Sequence, residues 1–465
     1  MKNKYLFVFA QVHEEFRIPE LLSIAELYNI NIGLPEDVDT SRPFMVIELD
    51  SEEDAHTLAQ RCILIKWVCD FYARGKTYAE VHEQTRANSS KYSQYIENTS
   101  FKFIVTAYNH SISQRRQREV VESFSYMALL GKIDMKNPDI TFMCFEEYAD
   151  KRGTTREKLE GDGAFREVFF GRLITEGTAR PLVKTFDVKK RSYFGNTSME
   201  AEISLLMANQ TLAAPGKLIY DPFVGTGSLA YVTAHFGAWL YGSDIDGRQM
   251  RGKENVPGIR RAAAQYGVAD RILDLCTFDV TQNPWRCGDL FDAIITDPPY
   301  GVRAGAKRLG RKKPTKKGIV ERTGLTLRPD DQPYIPPTKP YELSALATDL
   351  ILLARHMLKT GGRLVFFLPT VTDEYEEVDV QTMLCDGMDV IANSLQDFGS
   401  WGRRLITIRK TSDKSYPRPT FEPVVNQSDG NTPEVEHIPA HRDFREKYFR
   451  GFKKDEDRTT PLEQQ

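Results

Sequence analysis

Residues 218–228 read LIYDPFVGTGS, a short apolar run that ends in a carboxylate and passes through two closely spaced glycines into a helical stretch. A strand that gives way to a helix through such a turn lets the backbone reverse tightly and approach a ligand, because a residue without Cβ adopts conformations closed to others. Gly225 and Gly227 supply that freedom, with Phe223 beside them. The spacing is G-x-G without a third glycine, and Asp221 stands at the strand end, where it repels a pyrophosphate but accepts hydrogen bonds from an ammonium group. A dinucleotide is therefore disfavoured, and the amino-acid moiety of S-adenosylmethionine is favoured.

Working outward, four further apolar runs follow at intervals long enough for a helix: WLYGSDI, ILDLCTFDV, FDAIITD and RLVFFLP. Strands this apolar, separated by helical segments, predict a parallel sheet covered on both faces, a Rossmann-like α/β domain. Before the last run, Leu346, Leu350, Leu353 and Met357 recur at helical spacing as one core-facing stripe. Ser344 is the expected cap of that helix, and Gly361 and Gly362 its expected end.

Carboxylates close the successive runs. Asp244 ends the second, 19 residues beyond Gly225, which suits acceptance of both ribose hydroxyls; Asp246 is the weaker candidate. Asp279 ends the third and is expected to accept the adenine amino proton. Upstream, RSYFGNTSMEAEISLLMANQ starts a helix, with Thr197 and Ser198 as caps and candidate cofactor contacts.

The fourth run ends in Asp297, Pro298, Pro299 and Tyr300, followed by Gly301. An exocyclic amine is a poor nucleophile because its lone pair is delocalised into the base, and acceptors around its protons restore pyramidal character. The Asp297 carboxylate and the Pro298 carbonyl are two such acceptors, and proline removes a competing backbone donor. Tyr300 offers a face on which a flipped base stacks. These four residues are the catalytic candidates. No metal-ligand set is expected.

The chain has 465 residues, enough for two or three domains. With 62 basic and 65 acidic side chains the formal net charge is -3, so any polyanion site must be a local patch. One candidate is 303–317, with eight Lys or Arg and no acid; Arg303, Lys307, Arg308, Lys312 and Lys313 are the expected RNA contacts. Cys62, Cys69, Cys144, Cys276, Cys287 and Cys385 form no C-x-x-C pair and read as reduced, mostly buried thiols. The opening YLFVFA is too short for a signal-peptide core or a membrane span, so a soluble cytoplasmic protein without membrane attachment is expected. The first part reads as α+β layering, with REVVESFSYMALLG as a helix ended by Gly131. Polar, proline-rich sequence from Thr411 to about His441 is expected to be weakly ordered.

Together, KKRSYFGNTSM, DPFVGTG, AHFGAWLYGSDID, FDAIITDPPYG, GGRLVFFLP and GRRLITI, with EEFRIPE near the start and FREKYF near the end, make the chain resemble the eukaryotic tRNA guanosine-10 N2-methyltransferase family, catalytic subunit. The resemblance implies a ferredoxin-like domain over 1–75, a THUMP RNA-binding domain over 76–180, a Rossmann-like class I methyltransferase domain with a mainly parallel seven-stranded sheet over 181–410, and a tail over 411–465. It implies S-adenosyl-L-methionine as cofactor, tRNA as substrate and a small zinc-binding activator subunit. That partner is expected on the third-strand edge, from Ile272 to Val280, because an edge strand presents unpaired backbone groups.

Three alternatives remain. A DNA or other RNA amino-group methyltransferase, on adenine N6 or on cytosine, needs the same acceptors, although the first 190 residues resemble no DNA-reading domain. An RNA-binding protein with an inactive methyltransferase fold would carry a broken motif. A release-factor glutamine methyltransferase would resemble Asn at position 297.

Overall fold

In the computed structural model of the chain, residues 2–149, 165–252, 258–301, 305–310, 337–376, 378–421 and 440–450 are described. They fall into two compact units, Met1–Pro181 and Leu182–Gln465.

The first unit is built on strands β1 (Asn3–Phe9), β2 (Phe44–Leu49), β3 (Ile65–Gly75), β4 (Phe101–Tyr108), β5 (Ile140–Tyr148) and β6 (Phe165–Glu176), in the order β2-β1-β3-β6-β5-β4. The boundary expected at residue 75 falls at the end of β3, yet β3 pairs along its length with β6, so both halves share one sheet. Phe44, Phe145 and Phe169 anchor one core on this sheet, and Tyr72, Phe124, Phe142 and Phe170 anchor another. EEFRIPE has a structural role here. Arg17 and Glu20 are almost fully buried, the guanidinium donating to the carbonyls of Ala10 (2.6 Å) and Arg42 (3.0 Å), and the carboxylate accepting from Ile63 N–H (2.7 Å) and Leu64 N–H (3.0 Å). Each buried charge meets backbone groups that loops would otherwise leave orphaned.

Helix Gln114–Ser123 stops before Gly131. Gly131 serves a close approach instead: a Cβ there would lie 1.8 Å from the Thr99 carbonyl oxygen. Cys62, Cys69 and Cys144 are buried free thiols, and Cys287 is exposed.

The second unit carries β7 (Leu218–Asp221), β8 (Trp239–Asp244), β9 (Ile272–Thr277), β10 (Phe291–Thr296), the small pair β11 (Lys307–Leu309) and β12 (Thr338–Pro340), β13 (Leu358–Val371), β14 (Met388–Asp397) and β15 (Trp401–Lys410). The seven-stranded order is β14-β15-β13-β10-β7-β8-β9. Strands β9, β8, β7, β10 and β13 run parallel, and β15 and β14 add an antiparallel border. This is the expected doubly wound, mainly parallel α/β sheet. Its chain order reverses between β7 and β10, the switch point outside whose carboxyl ends such sheets bind ligands.

Helices Ala201–Gln210, Ser228–His235 and Leu343–Met357 cover the faces. Leu346, Leu350, Leu353 and Met357 are all buried as one stripe. The cap is Glu342, whose carboxylate accepts from Ser344 N–H (3.0 Å) and Ala345 N–H (2.9 Å), so Ser344 is not the cap. The helix ends at Met357, and Gly361 and Gly362 lie at the start of β13.

The expected weakly ordered stretch from Thr411 onward is packed where it is described. Tyr416 lies under Arg355 and accepts through its carbonyl from His356 Nδ1 (2.7 Å), while Ala440 and His441 are buried. A helix at Phe444–Arg450 places the Phe444 and Tyr448 rings 5.7 and 5.6 Å from that of Trp401, on β15 and not on the β9 edge. Residues 422–439 lie outside the described set. Among the described residues no helix is long and apolar enough to cross a membrane.

Candidate active site

The carboxyl ends of β7, β8 and β10 bring Asp221, Asp244 and Asp297 close together at one end of the sheet. Asp221 is 1% exposed, and Oδ1 accepts from Phe223 N–H and the Thr296 hydroxyl, both at 3.0 Å. Burial pushes its carboxyl up to about 8, against the pull of those donors, and the negative charges of Asp244 and Asp297 push the same way. A cation beside a buried, crowded carboxyl of this kind would favour its ionised form.

The glycine turn is required by geometry at both positions. Gly225 has φ 50°, and Gly227, the residue before helix Ser228–His235, has φ 84°. A Cβ at Gly227 would lie 2.9 Å from the Tyr231 ring, whose hydroxyl donates to Thr226 O (2.7 Å) and locks the turn. Asp244 ties the turn to β8: Oδ2 accepts from Gly225 N–H (3.0 Å) and Oδ1 from Asp246 N–H (2.8 Å). Burial raises the Asp244 carboxyl to about 6.

Thr197 is exposed and Ser198 does not cap the next helix, which starts from Glu200. Ser198 shares a hydrogen bond with the Thr226 hydroxyl (2.8 Å) and accepts from Gly195 N–H (2.9 Å), while Met199 N–H donates to Ser228 Oγ (3.1 Å). The upstream loop is thus fastened to the glycine turn.

Asp279 is buried, and its oxygens accept from Thr281 N–H (2.8 Å), the Thr281 hydroxyl (2.9 Å) and Leu309 N–H (2.5 Å). The β11–β12 pair therefore lies over the end of β9. Phe223, Val280, Tyr341, Leu346, Asp349 and Leu350 line a small cavity, with the Tyr341 hydroxyl donating to Asp349 (2.5 Å). Lys307 is exposed, and Arg308 is half-buried, lying over the Tyr341 ring at 5.3 Å. Arg303, Lys312 and Lys313 lie outside the described residues.

At the end of β10, Asp297 is 25% exposed and accepts the Tyr300 hydroxyl on Oδ1. Burial raises its carboxyl, opposed by a cation that the motif reading does not contain, Arg403. The Arg403 guanidinium lies 3.7 Å from Asp297 Oδ2, donates to Glu200 Oε1 (3.0 Å) and Gln396 Oε1 (2.7 Å), and stacks over the Phe367 ring at 4.3 Å. Its only sequence signal is a pair of arginines opening the apolar run GRRLITI. The Tyr300 ring is held by this bond to Asp297.

The family described as Tmrp11 THUMP N-terminal domain matches residues 3–179, and the one described as RMKL-like, methyltransferase domain matches residues 189–313. The tRNA (guanine(10)-N(2))-methyltransferase of Schizosaccharomyces pombe is 35% identical over 96% of this chain and 96% of its own length. That of Saccharomyces cerevisiae is 36% identical over 97% and 100%, and that of Homo sapiens 32% identical over 97% and 96%. The chain belongs to the tRNA (guanine(10)-N(2))-methyltransferase family. In this methyltransferase Asp244 ties the glycine turn to β8, and Asp221, through Thr296, lies beside the start of the Asp297–Tyr300 motif. TrmN from Thermus thermophilus, a solved structure, is similar at 17% identity over 88% of this chain and 99% of that chain, with a TM-score of 0.42.

Proposed function

We propose that this enzyme transfers a methyl group from S-adenosyl-L-methionine to the exocyclic N2 of guanosine 10 in tRNA. The observation that carries the reading is Asp297, partly open, at the end of β10, in the same cleft as the buried Asp221 carboxyl. The cofactor fits: among the described residues no cation acts on Asp221, glycine at positions 225 and 227 keeps the turn free of side chains, and an ammonium there neutralises the crowded acids. When bound, the cofactor supplies an electrophilic methyl group on a sulfonium. Asp297 and the Pro298 carbonyl accept hydrogen bonds from the guanine amine, turn its lone pair toward that methyl and, through Asp297, take up the released proton. Pro299 holds the turn and Tyr300 faces the base.

Thr197, Ser198, Asp221, Phe223, Gly225, Gly227, Asp244 and Asp279 form the cofactor side of this proposal. Residues 1–75 act as a ferredoxin-like platform, 76–180 as the THUMP element that holds tRNA, 181–410 as the methyltransferase domain and 411–465 as a C-terminal extension. Arg303, Lys307, Arg308, Lys312 and Lys313 are the RNA contacts of this reading, and the enzyme works in the cytoplasm. The relatives' names support the substrate, since they are tRNA (guanine(10)-N(2))-methyltransferases.

The chain works as the catalytic subunit of a heterodimer, with a small zinc-binding activator on the edge of β9. Its position at the sheet border and the 49% exposure of Leu273 support this docking. Methyl transfer from labelled cofactor, with the activator supplied, tests the substrate: label is expected in tRNA and not in duplex DNA. Label in DNA adenine or cytosine would move the enzyme to the rival amino-group reading.

A further inference from the structure

The C-terminal helix reaches the acceptor motif. Gly301, directly after Tyr300, has φ 86°, and a Cβ there would come within 3.1 Å of Arg445 Cδ, so the aliphatic stem of Arg445 lies along the backbone that closes the motif. The side chain is otherwise exposed. The helix is held in place on its inner side: Phe444 is buried against Trp401, Lys447 pairs with Glu374, and Ala440 N–H donates to Asp379 (3.0 Å). Trp401 lies two residues before Arg403, which reaches Asp297. The helix is thus coupled to the motif at Gly301 directly and at Asp297 through β15.

The outer side carries what an unpaired nucleic-acid strand recognises. Phe449 is 64% exposed beside Tyr448 (5.6 Å between rings), and Phe398 is 45% exposed beside Trp401 (4.6 Å). Arg442 and Arg445 are exposed on the same segment. With a net charge of -3 the chain has no general attraction for a polyanion, so cations at the acceptor cleft fall where they are needed. Exposed rings next to arginines suit bases stacked in sequence with their phosphates.

We propose that the helix Phe444–Arg450 is the acceptor-side RNA wall of the active site: Arg445 holds a phosphate of the nucleotide brought to Asp297, and Phe449 and Phe398 stack neighbouring unpaired bases. This rests on the proposed tRNA substrate. The test measures tRNA binding by fluorescence anisotropy across a salt series, using the full chain with its activator.

Arg445→Met keeps the stem against Gly301 and removes the charge; it should weaken tRNA binding roughly tenfold and lower the salt slope by about one. Arg445→Lys should restore most of the affinity, and Phe449→Ala should weaken binding with an unchanged slope. Cofactor affinity should stay at the wild-type level throughout. Wild-type binding and slope in Arg445→Met would overturn the phosphate contact, as would equal losses in Arg445→Met and Arg445→Lys, which mark a packing role. Unchanged binding in Phe449→Ala would overturn the stacking contact. Position mapping of the methyl group on wild-type product is read separately, so tRNA binding without methylation at guanosine 10 overturns the function and leaves the Arg445 result standing.

Discussion

At the residue scale the site is a problem in crowded carboxylates. Burial raises the Asp221 carboxyl to about 8, toward the protonated form at neutral pH, and an ammonium beside it favours the charged form. Cofactor binding at pH 7 should therefore release about one proton, measurable by calorimetry in buffers of different ionisation enthalpy. Asp221→Asn should abolish that release and weaken binding; release that persists in Asp221→Asn would reassign the group. Arg403 acts in the opposite direction on Asp297, whose carboxyl it holds down. Arg403→Gln should raise the Asp297 carboxyl, so the ionised form is lost at higher pH and the acid limb of the pH–rate profile moves up, while Arg403→Lys should leave the limb near its wild-type position. An unmoved limb in Arg403→Gln would reduce Arg403 to packing. Arg403 was not legible in the sequence because its partners are set by the sheet: Glu200 is 203 residues away along the chain. Asp221 and Asp297 were legible because each ends an apolar run, where only a purposeful carboxylate is tolerated.

At the element scale, glycine was read correctly where the turn needs it and wrongly as a helix terminator. Gly131 and Gly362 look like helix ends in the sequence, but a Cβ at these sites would collide with the backbone of Thr99 and of Lys359. Close approach between distant segments leaves no local signature. Gly227 combines both demands, φ 84° and a Cβ contact at 2.9 Å with the Tyr231 ring. Gly227→Ala should cost about 1–3 kcal/mol from the left-handed conformation alone, lowering the melting temperature and cofactor affinity together; wild-type affinity would show that the turn does not shape the pocket. Strand β9 was legible as a border because the winding order of the sheet dictates it. Its outer row of backbone groups and Leu273 are the expected dock for the activator. Leu273→Glu should prevent co-purification with the partner yet leave the isolated chain as stable as wild type, and retained co-purification would place the partner elsewhere.

At the scale of the whole molecule, each of the two units is built on its own large sheet, six-stranded in Met1–Pro181 and seven-stranded in Leu182–Gln465. The parallel sheet was readable because strands buried on both faces leave unbroken apolar words such as FDAIIT. The continuity of the first sheet through β3 and β6 was not, since pairing between segments about a hundred residues apart depends on register, which a single sequence does not display. The central claim is that the Asp297 motif places a methyl group on N2 of guanosine 10, and the most direct measurement is position mapping by mass spectrometry. The tRNA is taken from cells lacking this protein and complemented with either the wild type or Asp297→Ala. Wild type should restore N2-methylguanosine at position 10, and Asp297→Ala, slowed by about two or three orders of magnitude, should not. N2-methylguanosine at position 10 in the Asp297→Ala cells at the wild-type level, or its persistence in cells without the protein, would contradict the account.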